Sequence, residues 1–310
     1  MPTRSIFLVA AVAMVTAAMC SEPRATRDGG PRRATACGDS TAISWEPTGP
    51  RQGALFRVRV SGVPTGATLS GVVAGEALHF STVAGTPSVE SLAAVPIDAA
   101  DSLGIQVLCS SGERTDTLHA RIAATGGEYP VERLTVAPTF GRPPDSALAA
   151  RMKREADRAN AVAVASHETP RLWRKPFLHP RDSRITSGFG RGREFNGTVT
   201  SRHMGTDFAG ATGAPVRAAN RGVVRIVGRF YLGGNVIYID HGAGLTSAYL
   251  HLSRQLVAEG DTVERGELIG KVGATGRVTG PHLHLIVRYG RVTVDPVSLF
   301  AVAGDSGSSQ

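Results

Sequence analysis

The stretch that most restricts what this chain can fold into runs from Gly276 to Val287: Gly-Arg-Val-Thr-Gly-Pro-His-Leu-His-Leu-Ile-Val. At its centre His282 and His284 stand two apart, and the apolar, partly β-branched run Leu285-Ile286-Val287 argues for a β-strand. On a strand, residues two apart project to the same side, so both imidazoles face one way beside a Gly-Pro turn. Neutral imidazole nitrogen is a common zinc ligand, and the pair suits a metal. Chance also produces an HxH pair in a chain with nine histidines, so other segments have to decide.

Two segments do. In Ser201 to Gly210, Ser-Arg-His-Met-Gly-Thr-Asp-Phe-Ala-Gly, His203 and Asp207 are four apart. Gly205 and Gly210 argue against a helix, which places the pair on a loop running into a strand. In Ser247 to Ser253, Ser-Ala-Tyr-Leu-His-Leu-Ser, His251 sits in another strand-like run. Three protein ligands with an open fourth position mark a catalytic zinc site, whereas four close a structural one. His167-Glu168 does not start a zinc helix of the HExxH kind, because Thr169-Pro170-Arg171 follows without a second histidine. A cupin-type metal barrel needs a glutamate just after its HxH; Arg288 and Tyr289 stand there instead.

The patterns HxxxD, YxHLS and GxTGxxTGPHLH resemble the lysostaphin-type (LytM, murein endopeptidase) family of zinc peptidases, whose β fold is the duplicated hybrid motif. Ser187-Gly-Phe-Gly190, Gly213-Ala-Pro-Val216, Ile239-Asp-His-Gly242 and Glu259-Gly-Asp-Thr-Val263 match as well, and the resemblance runs from about Phe177 to Phe300. It implies one Zn2+ per chain, held by His203, Asp207 and His284, with His251 and His282 as unliganded catalytic histidines. It also implies peptidoglycan as substrate, cleaved at peptide cross-links or stem peptides. Gly197 and Thr198 occupy the region where members that cut glycyl-glycine bonds carry a tyrosine, which favours a D-alanine to diamino acid link. A second reading is a non-enzymatic activator of cell-wall amidases, as in family members that have lost their ligands; here all five positions are intact.

Such a ligand set suits hydrolysis, because zinc lowers a bound water's pKa from 15.7 towards about 7 and polarises a carbonyl. No glutamate stands in the usual place of a zinc peptidase base. His251 and His282, titratable near neutrality, are the candidates for moving protons.

Thirty-four Lys+Arg against 26 Asp+Glu leave a net charge of +8 in 310 residues, nearly all of the positive charge arginine. It is scattered, with no basic run or aromatic platform, which speaks against nucleic acid and fits an anionic surface such as a cell-wall polymer. Met1 to Cys20 reads as a targeting leader: Arg4 precedes an apolar run too short to span a bilayer, and no other stretch is long or apolar enough to cross one. Thr16-Ala17-Ala18 suits ordinary secretion, and Ala17-Ala18-Met19-Cys20 suits a lipobox with Cys20 lipidated. Either exit puts the protein in the cell envelope or outside the cell, with membrane contact only through the lipid anchor and a wall amidase or other envelope protein as partner.

The expected architecture is mainly β. After the leader (1–20) and a disordered tether (21–36) comes a small Ig-like β-sandwich over 37–138, read from short alternating runs between Gly, Pro and Asp. Its Cys37 and Cys109, in an oxidising compartment, are expected to form a disulfide worth roughly 3–5 kcal/mol. His79 and His119 read as isolated surface or packing residues. A helical linker (139–171), capped by Asp145 or Ser146, joins an antiparallel β LytM-type peptidase domain over 172–302 and a disordered tail, 303–310. Within the peptidase domain the segments Arg191 to Arg202 and Gly273 to Pro281 are expected as loops walling a groove.

Overall fold

The computed structural model describes residues 36–83, 85–140, 143–197 and 199–302. The expected leader with Cys20, the tether up to residue 35 and the tail 303–310 lie outside the described residues. Alternation shapes the first part of the chain. In Leu55–Ser61, Phe56, Val58 and Val60 are buried while Arg57 and Arg59 lie on the other face. Eight strands follow one another: β1 (Ala42–Glu46), β2 (Leu55–Ser61), β3 (Thr68–Val73), β4 (Glu76–Ala77), β5 (Ser81–Thr82), β6 (Ser88–Ala94), β7 (Ser102–Ser111) and β8 (Arg114–Ala123). They pair antiparallel into two four-stranded sheets, β1-β2-β6-β5 and β4-β3-β7-β8. Phe56, Val58 and Val60 of one sheet pack with Val73, Ile105, Val107 and Ile122 of the other. Each large side chain taken out of water there contributes about 1.5–3 kcal/mol.

Cys37 and Cys109, the pair expected to form a disulfide, meet inside this sandwich. Both are free, buried thiols. Burial pushes the Cys37 thiol up to about 12, with the Cys109 thiol beside it adding to the shift.

The chain then crosses to its second half. β9 (Val131–Leu134) runs parallel to β11 (Gly192–Phe195), with Glu132 opposite Arg193. Helix α1 (Ser146–Ala165) starts at Asp145, whose Oδ1 accepts the Leu148 N–H at 2.8 Å. Its Ala159 packs on Ile226, Val236 and Tyr238. His79 is not isolated, contrary to expectation. Its Nε2 lies 2.7 Å from His167 Nδ1, and His167 Nε2 lies 2.9 Å from the Glu76 carboxylate. His167 thus bridges His79 and Glu76, two residues about ninety positions upstream of it, and the three groups satisfy one another.

Beyond the helix come β10 (Ile185–Ser187), β11, β12 (Val199–Arg202), β13 (Thr206–Ala209), β14 (Pro215–Arg217), β15 (Gly222–Phe230), β16 (Gly234–Gly242), β17 (Leu245–Leu252), β18 (Arg254–Gln255), β19 (Thr262–Val263), β20 (Leu268–Lys271), β21 (His282–Tyr289), β22 (Val292–Val294) and helix α2 (Pro296–Val302). The main sheet is antiparallel, in the order β10-β13-β21-β17-β16-β15-β19, with β22 on β21. A smaller sheet, β14-β20-β18, lies beside it. Phe208, Ile237, Ile239, Tyr249, Leu283, Leu285 and Val287 fill the core under the main sheet. Arg191 to Arg202 is not the loop expected: it is a hairpin of β11 and β12, extended by β9 to three strands. Its turn at Asn196-Gly197 takes two positive φ values, which suits an Asn-Gly pair. Among the described residues no helix is long and apolar enough to cross a membrane.

Candidate metal centre and its groove

Strand parity brings the site together. In β21, Leu283 and Leu285 face the core, so His282 and His284 face the other way. β13 pairs with β21 so that Asp207 stands opposite His284 and Ala209 opposite His282. His203 precedes β13 and is held at both backbone ends, its N–H donating to Arg191 O and its carbonyl accepting from Gly190 N, each at 2.7 Å. Gly205 between them has a physical reason. A Cβ there would lie 2.4 Å from the Leu285 carbonyl and 2.7 Å from the His284 ring.

Three donor atoms converge as a result. His203 Nε2 is 2.9 Å from His284 Nδ1 and 3.0 Å from Asp207 Oδ1, and His284 Nδ1 is 2.7 Å from the same oxygen. All three residues are buried. His203 Nδ1 donates to the Gly188 carbonyl at 2.8 Å, which leaves a lone pair on Nε2 of the neutral ring. That lone pair and the carboxylate oxygen face each other, an arrangement suited to a cation between them. Tetrahedral zinc, with ligands at about 2.0–2.2 Å, sets its donors roughly 3.3–3.5 Å apart, a small opening from what is seen here. The donor set therefore fits zinc in type, number and spacing.

Electrostatics agree with that fit. Burial drives the His284 imidazole down to about 4, even with Asp207 favouring the proton, so the ring is neutral near pH 7. Burial alone would raise the Asp207 carboxyl, but the His203 and His284 side chains beside it outweigh that and hold the group ionised, well below the usual carboxylate range. The second Asp207 oxygen is taken by Arg193, whose Nη2 donates to Oδ2 at 2.7 Å. Arg193 also reaches Ser187 Oγ at 3.1 Å and Glu132 of β9 at 3.4 Å. Such outer contacts aim a ligand and lock its orientation.

The two further histidines share one design. His282 Nδ1 donates to Gly280 O and His251 Nδ1 to Thr275 O, both at 2.8 Å. Each Nε2 is thereby left as an acceptor in the neutral ring. His282 Nε2 lies 3.6 Å from Asp207 Oδ1, and the His251 ring lies 5.0 Å from that of His282 and 5.7 Å from that of His284. β17 carries an extra residue against β16 between Tyr249 and Leu252, and His251 takes φ +62° there. A left-handed non-glycine residue costs on the order of 1–3 kcal/mol. A bulge that re-aims a side chain towards a site is a reason to tolerate it. Burial first, then the neighbouring imidazoles, lower His251 well below its ordinary range.

The five residues singled out from the sequence are thus brought together, and the structure adds others. Arg193, Ser187 and Glu132 surround Asp207; the carbonyls of Gly188, Thr275 and Gly280 set the tautomers. Ser187-Gly188 lay in a stretch already noted as family-like, but nothing local signals Glu132, which arrives only through the β9–β11 pairing. A cleft of about 450 Å³ opens beside Asp207 and His282. Its walls come from β9, the β11–β12 hairpin and the segment before β21, through Leu134, Phe195 and Thr279 among others.

Residues 201–296 match the model of Peptidase family M23. The chain is 48% identical over 117 residues to the peptidoglycan DD-endopeptidase ShyA of Vibrio cholerae serotype O1, 36% of this chain and 27% of that protein. It is 46% identical over 106 residues to ShyB of the same organism, 33% of this chain and 24% of the other. To the DD-carboxypeptidase/endopeptidase Mpg of Neisseria meningitidis serogroup B it is 47% identical over 97 residues, 31% of this chain and 22% of the other. The chain thus spans about a quarter of the length of these curated relatives. A crystal structure of an M23-type protein from Pseudomonas aeruginosa superposes with a TM-score of 0.64 over 82% of this chain and 96% of that one, at 24% identity, a likeness of fold. The matched stretch holds His203, Asp207, His251, His282 and His284 alike, and residues 201–296 form a domain of the Peptidase M23, LytM-type kind.

Proposed function

We propose that this protein is an exported zinc metalloendopeptidase that hydrolyses peptide cross-links or stem peptides of peptidoglycan. The observation that carries the reading is the convergence of His203 Nε2, Asp207 Oδ1 and His284 Nδ1, with the acceptor nitrogens of His251 and His282 beside them. Relatives named as peptidoglycan DD-endopeptidases over the same stretch support the substrate class, and a D-alanine to diamino acid link in particular. An exported protein of net charge +8 suits an anionic wall.

His203, Asp207 and His284 would hold the ion. Bound there, zinc supplies a Lewis acid and lowers the pKa of water. The chain's own residues then divide the remaining work. Arg193 holds Asp207 by Oδ2, which leaves Oδ1 facing His203 and His284. His251 and His282, with Nδ1 protons committed to backbone carbonyls, accept the proton of the attacking water at Nε2 and return one to the leaving amine nitrogen. The cleft walls line up the peptide beside them. Met1 to Cys20 directs export, either by ordinary secretion or with Cys20 lipidated as the anchor. In the oxidising compartment so reached, the adjacent buried thiols of Cys37 and Cys109 are oxidised to a disulfide.

The test is digestion of purified peptidoglycan by the mature protein. New free amino groups without new reducing sugar ends identify amide cleavage; chelator abolishes it and zinc restores it. If zinc-loaded protein leaves walls of several cross-link types intact, the activator of wall amidases becomes the better reading.

A further inference from the structure

The cleft beside the metal centre contains a cation with no counter-charge. Arg277 lies in the segment leading to β21, its backbone N–H bonded to Leu232 O at 2.9 Å. Its guanidinium sits 4.0 Å over the Phe195 ring, and its side-chain hydrogen bond is a long one, 3.4 Å to Ser201 Oγ. Among the described residues no carboxylate reaches it. Burial and the nearby Arg193 both disfavour its charge. A cation half out of water and close to another cation is costly to keep. It pays when an anion arrives.

The other charges facing the cleft are accounted for. Glu132 is held between Arg191 at 3.2 Å, Arg193 at 3.4 Å and Ser187 at 3.1 Å. Asp207 is committed to Arg193 and the imidazoles. Arg184, exposed and also lining the cleft, has no ion-pair partner among the described residues. Two unpaired guanidinium groups therefore border a space that leads straight to Asp207 and His282.

We propose that Arg277, backed by Arg184, is the specificity-determining residue for a free carboxylate on the substrate peptide, next to the amide that is cut. Guanidinium is planar, and it binds a carboxylate through two parallel hydrogen bonds. Stacking on Phe195 fixes the plane of Arg277 beforehand, which lowers the entropy lost on binding. The space beside it is open to a peptide in extended form and is bounded by Thr279 and Phe195. This inference rests on the peptidase reading of the same site and names the chemical feature of the peptide that the site selects.

The experiment uses two cross-linked peptides that are identical except that the carboxylate nearest the scissile amide is free in one and amidated in the other. For the wild-type protein the ratio of kcat/KM, free over amidated, is expected to be roughly 10 to 100, the value of a charge-assisted hydrogen bond or two. In Arg277→Gln the ratio falls towards 1, and Arg277→Lys, which keeps the charge and loses the fork, lies between. The same peptides are titrated calorimetrically against chelated full-length protein, where the ratio of dissociation constants should follow the same order without turnover. Thermal melting checks that each variant folds; if Arg277→Gln does not, Arg184→Gln on the exposed rim reads the same ratio. Equal cleavage and equal binding of the two peptides by wild-type protein would overturn the subsite while leaving the peptidase reading intact. Selective binding without hydrolysis of either would do the reverse. A ratio unchanged in Arg277→Gln and Arg184→Gln would remove both residues from the assignment.

Discussion

Replacing Gly205 with alanine adds one methyl group and no charge, yet it should disturb the metal centre more than any comparable change in the domain. The backbone permits the substitution, since Gly205 is not among the glycines with positive φ. Space does not. The new Cβ would stand 2.4 Å from the Leu285 carbonyl, 2.7 Å from His284 Cε1 and 2.7 Å from His284 Nε2, where real Cβ contacts essentially never fall below 3.0 Å. The His284 ring must therefore retreat by about 0.3 Å and the β13–β21 backbone by about 0.6 Å. Metal sites tolerate about 0.2 Å of error in ligand distance, so the displaced ring leaves the coordination sphere strained. Loss of ligand alignment costs about 10- to 100-fold in affinity, and overpacking costs about 1–3 kcal/mol of stability. Zinc affinity of Gly205→Ala, measured by competition with a chromophoric chelator, should fall by that factor. Gly126→Ala, where a Cβ meets nothing within 4 Å, is the control. A Gly205→Ala protein that binds zinc as tightly as wild type would refute the argument that close strand approach at Gly205 sets the ligand geometry.

Three further outcomes follow from the same geometry. Alanine at His203, Asp207 or His284 should remove most bound zinc, whereas His251→Ala and His282→Ala should retain it and lose on the order of 10²–10⁴-fold in turnover; metal analysis showing full zinc in His203→Ala would sink the ligand assignment. Chelated protein should lose stability as pH falls from about 6.5 towards about 4, because burial holds His241 and His284 at about 4 while the unfolded chain takes up protons from 6.5 downwards. Asp207, held below the usual range, extends the loss to lower pH; denaturant midpoints that stay flat over this window would count against neutral burial of these rings. Protein recovered from the envelope, denatured without reductant, should show no free thiol from Cys37 and Cys109, and a count of two would mean that the buried pair stays reduced.

Much of the C-terminal half was readable along the chain because its signals are local. Apolar, β-branched runs separated by glycines predicted the strands beginning at Gly222, Leu268 and His282, and a strand at Asn235–Asp240 that extends by a residue or two at each end. HxH on a strand determines by parity alone that both imidazoles share a face. The five candidate site residues are all of types whose chemistry is legible without coordinates. What a single chain could not disclose is pairing across distance. Register alone puts Asp207 opposite His284, and a bulge in β17 turns His251 from a strand residue into one aimed at the centre. The hairpin at Arg191 to Arg202 passed for a loop because its partner strand, Val131–Leu134, lies far upstream, and with it came Glu132 and the setting of Arg193. His79 looked solitary until His167, 88 residues downstream, came to it. Residue type and local period determine which groups can do chemistry and which side of an element they occupy. Only the tertiary structure decides which of them meet, because hydrogen-bond register and packing act between segments that share no local pattern.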